Sequence, residues 1–196
     1  METLKEEGLL ENTLVILSSD NGPVLNDGYE DEAVQRNGAH TPWGPLRGGK
    51  YSLFQAGTRV PFIVSWPGRV TPGVSHALVS QIDLMASLGE LVGTTVKNTD
   101  SQNLLGTFLG NSKSGRRHLV LEAMGRTAFR EGDWVLIPPY DGPAVQPNVQ
   151  IELGNHTEYQ LFNLNDDPGE TTNLADKVPD KLQQMRLGYE KIIGKK

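Results

Sequence analysis

The chain holds 196 residues, 37% hydrophobic and 21% charged, with a formal net charge of −6. That length suits one domain, or one with a small appendage, and the composition allows a buried core. The acidic balance without a basic patch excludes a nucleic-acid-binding surface; the lack of cysteine excludes disulfides, thiolate zinc sites and a cysteine nucleophile within these residues; and no apolar run approaches the ~20 residues that cross a bilayer.

Met1 to Gly8 reads as the last two turns of a helix stopped by Gly8. Glu2, Lys5, Glu6 and Glu7 do not form the basic-then-apolar order of a signal peptide. No helix start precedes these turns, so the expectation is a piece of a longer protein, against the alternative of an ordinary frayed terminus. Thr13 to Ser19 is a short continuous apolar run, the pattern of a strand buried on both faces of a parallel sheet. It ends at the turn sequence Asp20-Asn21-Gly22-Pro23. From Asn21 to about Gly49 there is little periodicity, and long irregular stretches in compact domains are often functional. Val60 to Trp66 reads as the next strand, ended by Pro67-Gly68. Ser80-Gln81-Ile82-Asp83 predicts a capping box for a helix from about Gln81 to Val92, apolar on two sides and therefore buried. Strand, loop, strand and helix together predict an α/β layer structure.

Gly110 to Gly115 reads as a joint. Beyond it, His118 to Glu122, Arg126 to Arg130, Trp134 to Pro138 and Tyr159 to Asn163 are short strand candidates. Asp166-Asp167-Pro168-Gly169 predicts a type II turn. Pro179 opens a final helix with Leu182, Met185, Tyr189 and Ile192 on one side. The expected organisation is an α/β part over residues 1–110, then a small α+β subdomain over 111–196 with an antiparallel sheet and a C-terminal helix.

Asp20 and Asn21 offer oxygen ligands at the carboxyl end of a strand, where open α/β sheets bind ligands. A hard cation such as Ca²⁺ accepts such oxygens but takes ~6–8 of them, so two side chains cannot complete its shell. Taken alone, Asp-Asn-Gly-Pro reads first as turn chemistry. Lys50 follows Arg47-Gly48-Gly49 and can face an anion as a point charge; alone, it is better explained as a solvated surface lysine. It does not belong to a P-loop, because Tyr51 stands where Ser or Thr is needed. His40, in the long loop, can donate a proton or bind a polar substrate, and Arg47 can pair with an anion. His76, His118 and His156 show no ligand spacing, and the acidic run Asp27 to Glu32 reads as a solvated face.

The combination carries more than its members. Leu14–Gly22 (Leu-Val-Ile-Leu-Ser-Ser-Asp-Asn-Gly), Gly44–Lys50 (Gly-Pro-Leu-Arg-Gly-Gly-Lys) and Gly57–Gly68 (Gly-Thr-Arg-Val-Pro-Phe-Ile-Val-Ser-Trp-Pro-Gly) resemble, in that order, the carboxy-terminal part of the formylglycine-dependent, arylsulfatase-like sulfatases. So do Leu78–Leu84, Arg130–Trp134 and Leu161–Leu174. The resemblance implies part of an alkaline-phosphatase-like sandwich and an enzyme that hydrolyses sulfate esters. It implies that Asp20 and Asn21 ligate Ca²⁺ (Mg²⁺ in some members) and that Lys50 contacts the sulfate and assists the leaving oxygen. In some relatives the residues matching His40 and Arg47 face the substrate pocket, which makes His40 a second catalytic candidate and Arg47 a substrate-binding one. The family's formylglycine arises from a Cys/Ser-x-Pro-x-Arg motif beside two more metal-binding aspartates, upstream of the matched part; nothing in this sequence matches it. Relatives often carry glutamate where this chain has Gln55. The Asp-Asn pair argues against the superfamily's zinc phosphodiesterases, whose Asp-His pair suits zinc better.

The implied substrate is a sulfated small molecule or glycan, with no nucleic-acid or membrane partner. The 196 residues alone are expected to be inactive. Two alternatives stay open: a phosphonate or phosphate ester hydrolase of the same superfamily, or a non-catalytic piece that pairs with an amino-terminal sulfatase segment or self-associates. In that last case the face of Leu14 to Leu17 is expected to be exposed.

Overall fold

A computed structural model describes residues 1–194. In chain order its elements are α1 (Glu2–Glu6), β1 (Val15–Ser18), α2 (Ala33–Asn37), α3 (Gln55–Thr58), β2 (Phe62–Ser65), α4 (Asp83–Leu91), α5 (Leu105–Phe108), β3 (His118–Ala123), β4 (Arg126–Glu131), β5 (Trp134–Ile137), β6 (Val145–Gln146), β7 (Ile151–Glu152), β8 (Gln160–Asn163) and α6 (Pro179–Ile193). They fall into two compact units that do not follow chain order. One is Met1–Ser18 with Pro61–Arg117; the other is Ser19–Val60 with the chain from His118 onward.

In the first unit β1 and β2 pair antiparallel, from Val15↔Ser65 to Ser18↔Phe62. The apolar run at β1 predicts a strand covered on both faces of a parallel sheet; instead the described residues give it one antiparallel partner. Leu17 and Ile63, direct cross-strand partners, are 55% and 58% exposed. A run of Val, Ile and Leu encodes a need for cover, but not the direction of its neighbour. The Trp66 indole closes the end of β2 by donating to the Glu11 carbonyl at 3.0 Å.

Helix α4 begins at Asp83, two residues inside the predicted start. Half of the predicted capping box forms: the Asp83 carboxylate accepts the Ser80 N–H at 3.0 Å. The other half is replaced by a backbone bond from Asp83 N–H to the Ser80 carbonyl. The helix is not apolar-buried on two sides. Its buried residues are Asp83 and Ser87, while Ile82 at the cap and Met85 are exposed. The Asp83 carboxylate is enclosed because it collects the Gln102 N–H at 2.9 Å and the Arg116 guanidinium at 2.8 Å.

The second unit is built on an antiparallel sheet of order β3-β4-β5-β8, with strand boundaries close to those predicted. Side chains alternate across it as the strand period of two requires. Phe129, Leu136 and Leu161 face one way and meet Met185 and Tyr189 of α6. Ala128, Val135, Ile137 and Phe162 face the other way and meet Leu53 and Phe54. The second face is therefore covered by the glycine-rich loop before α3, through side chains the sequence did not single out. Burying each of these two side chains contributes roughly 1.5–3 kcal/mol, which fixes that loop on the sheet.

The turn into residue 170 differs from expectation. A type II turn puts positive φ on Gly169. Here the left-handed residue is Glu170, at φ +51°, in a turn closed by Glu170 N–H to the Asp167 carbonyl at 3.1 Å. The Asp167 carboxylate takes the N–H groups of Thr171 and Thr172 at 2.7 and 2.8 Å. That pairing pulls the chain round after the turn and directs the Glu170 side chain inward, where it is wholly buried.

Candidate functional site

The loop that carries Lys50 is pinned from within. Ser52 to Gly57 is buried throughout. Leu53 N–H donates to the Leu153 carbonyl at 3.1 Å, Ser52 N–H to Gly49 at 3.0 Å and Ala56 N–H to Arg47 at 2.9 Å. The Phe54 ring meets Phe162 edge-on at 5.9 Å. Lys50 itself is half-buried, with its ammonium 5.4 Å from the Tyr51 ring centre.

The Asp20–Asn21 turn meets this loop backbone to backbone. Gly22 N–H donates to the Gly57 carbonyl at 2.8 Å, and Lys50 N–H donates to Pro23 at 3.0 Å. These contacts leave no room for side chains. A Cβ on Gly22 would lie 1.6 Å from the Ala56 carbonyl oxygen, and one on Gly49 would lie 2.8 Å from that of Pro23. The structure thus brings together the segments carrying Asp20, Asn21 and Lys50. The Asp20 side chain is exposed. Asn21 donates its amide nitrogen to the Gly22 carbonyl at 2.9 Å, which leaves the amide oxygen as its ligand atom.

Carboxylate and amide oxygens have the hardness that Ca²⁺ or Mg²⁺ requires, so the donor set fits such a cation in kind. It falls short in number. No group of three or more His, Cys, Asp or Glu side chains among the described residues could hold a metal.

The other two candidates are placed differently. His40 is exposed after α2. Its N–H donates to the Asn37 carbonyl at 3.2 Å and its own carbonyl accepts from the Asn37 amide. No hydrogen bond links its imidazole to Asp20, Asn21 or Lys50 among the described residues. Arg47 is partly buried and committed to partners of this chain. Its Nε and Nη2 donate to both oxygens of Glu152 at 2.8 Å, its Nη1 donates to the Glu170 carbonyl at 2.7 Å, and its guanidinium stacks on Phe54 at 3.9 Å. The pairing holds the Glu152 carboxyl below the usual carboxylate range and raises the guanidinium.

An open cleft of about 800 Å³ runs beside this loop, lined by Trp43, Arg47, Gly48, Gln150, Glu152 and Thr171 among others. Asp20, Asn21, Lys50 and His40 do not line it. The candidate site therefore rests on the backbone pairing of two segments and not on this concavity.

Glu152 and Glu170 organise the region, and neither stood out in the sequence. Glu152 gives no local signal. Glu170 lies in the Asp-Pro-Gly-Glu stretch, within one of the matching segments. Its Oε2 accepts the Gln55 N–H at 2.7 Å, while Oε1 has no hydrogen-bond partner among the described residues. Burial pushes its carboxyl up to about 7, against the opposing pull of the Gln55 N–H and Arg47. Gln55 is also explained. Its amide donates to the Pro168 carbonyl at 2.9 Å, which a carboxylate in its place could not do.

The family model described as Sulfatase matches residues 1–94. The N-acetylgalactosamine-6-O-sulfatase of Bacteroides thetaiotaomicron is 43% identical over 189 residues, covering 94% of this chain and 37% of that protein. Arylsulfatase A of Homo sapiens is 34% identical over 205 residues, covering 95% of this chain and 39% of its own length. Among solved structures, one from work on the metabolism of multiple glycosaminoglycans by Bacteroides thetaiotaomicron superposes with a TM-score of 0.93 at 42% identity, over 98% of this chain and 41% of that one. The chain thus spans about two fifths of the length of these relatives.

Proposed function

We propose, from the premise that this chain belongs to the sulfatase family, that Asp20, Asn21 and Lys50 are its contribution to a site that hydrolyses sulfate esters. The observation that carries this reading is the backbone pairing of Gly22 with Gly57 and of Lys50 with Pro23. It sets two segments distant in sequence against each other, with oxygen ligands on one and a cation on the other. Asp20 supplies a carboxylate and Asn21 an amide oxygen to Ca²⁺, or to Mg²⁺, and further ligands come from outside these residues. A cation so held neutralises charge on the sulfate oxygens.

Lys50 faces the sulfate and stabilises charge developing on the leaving oxygen. Its loop is fixed by buried Leu53 and Phe54, so little reorganisation is needed as charge develops. His40 sits on an exposed loop as a proton donor to the leaving group. Arg47 serves the site by anchoring the loop through Glu152 and Glu170. The substrate class is a sulfated glycan, and the N-acetylgalactosamine-6-O-sulfatase relative makes a 6-sulfated N-acetylgalactosamine the first compound to test.

The test is a chimaera in which this chain replaces the matching region of that relative. It should hydrolyse aryl sulfate in preference to aryl phosphate, and Lys50→Ala should lower kcat about 10²- to 10³-fold. The 196 residues alone should show no turnover with either cation. A Lys50→Ala chimaera as active as its parent would overturn the assignment. Phosphate ester cleavage outrunning sulfate ester cleavage would favour the phosphatase alternative.

A further inference from the structure

Both anchors of the Lys50 loop lead to one residue. At its start, Arg47 Nη1 donates to the Glu170 carbonyl at 2.7 Å. At its end, the Gln55 N–H donates to the Glu170 carboxylate at 2.7 Å. The loop closes on itself through Ala56 N–H to the Arg47 carbonyl at 2.9 Å, and the next residue, Gly57, accepts Gly22 N–H at 2.8 Å. Glu170 is therefore connected to the Asp20–Asn21 turn by two hydrogen bonds, at Gln55 and Gly57, joined through the short backbone between those residues.

Glu170 occupies this place against its own preferences. It is wholly buried, although glutamate is almost never so unless paired. Its φ of +51° lies in the region that L residues seldom adopt. Its Oε1 has no partner among the described residues, where buried polar atoms nearly always find one. Unfavourable features concentrated at one position persist only where the surroundings over-determine them, and such positions cluster at functional sites.

We propose that Glu170 is a positioning residue for the candidate site: acting through the Gln55 N–H and Arg47, it sets the loop that presents Lys50 beside the Asp20–Asn21 turn. The importance of that geometry rests on the reading of Lys50, Asp20 and Asn21 given above. The geometry itself can be tested without catalysis.

The experiment is residue-resolved amide hydrogen exchange on the purified chain. Gly22 and Lys50 report on the site, and the amides of β5 serve as the internal control. Glu170→Ala leaves the Gln55 N–H without its acceptor, so exchange at Gly22 and Lys50 should accelerate at least about tenfold while β5 stays unchanged. Glu170→Gln keeps an oxygen for that N–H and should restore near-parental exchange. Should the alanine variant fail to fold, Glu170→Asp, whose carboxylate stops short of Gln55, should give the same local acceleration. Unchanged exchange at Gly22 and Lys50 would overturn the proposal. So would uniform acceleration through β5, which marks a general structural role, or a glutamine variant that behaves like alanine. The chimaera assay can fail independently of this result, because exchange reports position and not turnover.

Discussion

Burying the Glu170 carboxyl gives the fold a pH dependence opposite to that of most carboxylates. Its ordinary value is 4.5, and burial in the folded chain raises it to about 7. Between those values the folded state holds a proton that the unfolded state has released. Stability therefore falls as pH rises through that window. The contribution of the neutral carboxyl is fully present below 4.5, is lost progressively as pH rises to about 7, and is constant above it. Each unit between the two values corresponds to about 1.4 kcal/mol, so the whole window amounts to about 3 kcal/mol.

The assay is urea denaturation at a series of pH values from about 4 to 8, comparing the parent with Glu170→Gln. Glutamine keeps an acceptor for the Gln55 N–H but cannot ionise. Other titrating groups cancel in the difference. They include Glu152, whose lowered carboxyl acts in the opposite sense. The parent should lose about 3 kcal/mol relative to the variant across the window, a change of about 1–3 M in urea midpoint for ordinary denaturant slopes. Parallel pH profiles for the two proteins would refute the argument. A parent that gains on the variant as pH rises would show that the ionised carboxylate is the favoured buried form.

Two further substitutions probe the packing. Gly22→Ala places a Cβ 1.6 Å from the Ala56 carbonyl oxygen, and neither backbone can yield without breaking the bond from Gly22 to Gly57; a loss of at least about 1–3 kcal/mol is expected in urea denaturation, and a variant as stable as the parent would show that the two segments are not in contact. Arg116→Ala strips the wholly buried Asp83 of its ion-pair partner and should cost about 3–5 kcal/mol. In the same denaturation experiment Asp83→Asn with Arg116→Met should cost far less, since no charge is then left buried alone.

The strands of the second unit were legible because their pattern is local. Ala128-Phe129, Val135-Leu136-Ile137 and Leu161-Phe162 alternate with the strand period, so one face follows from the other. What sequence left open was what covers those faces. Leu53 and Phe54 sit in a stretch with no periodicity, and only the chain's return through Gly48 and Gly49 lays them on the sheet. Arg47 read as an anion receptor because a sequence displays a charge and not its partner; Glu152 is far away in the chain and close in space. The β1 run declared its need for cover but could not choose an antiparallel neighbour. Pro168-Gly169 fits more than one turn type, and the pairing of Asp167 with Thr171 and Thr172 placed the left-handed conformation one residue later.

Asp20, Asn21 and Lys50 are each unremarkable as residues, and none of them lines the cleft beside the Lys50 loop. One carboxylate and one amide would supply only a few of the ~6–8 oxygens that Ca²⁺ takes. The placing of the two segments is held by backbone atoms. Gly22 and Gly49 stand where any side chain would strike a carbonyl of the facing segment. The glycines are therefore stronger evidence for the site than its charges. An exposed aspartate or lysine has many explanations, whereas a glycine whose missing Cβ is the contact surface has one. A sequence carrying the Asp-Asn pair and the lysine without glycines at those two places could not bring the segments to this distance, whatever its resemblance elsewhere.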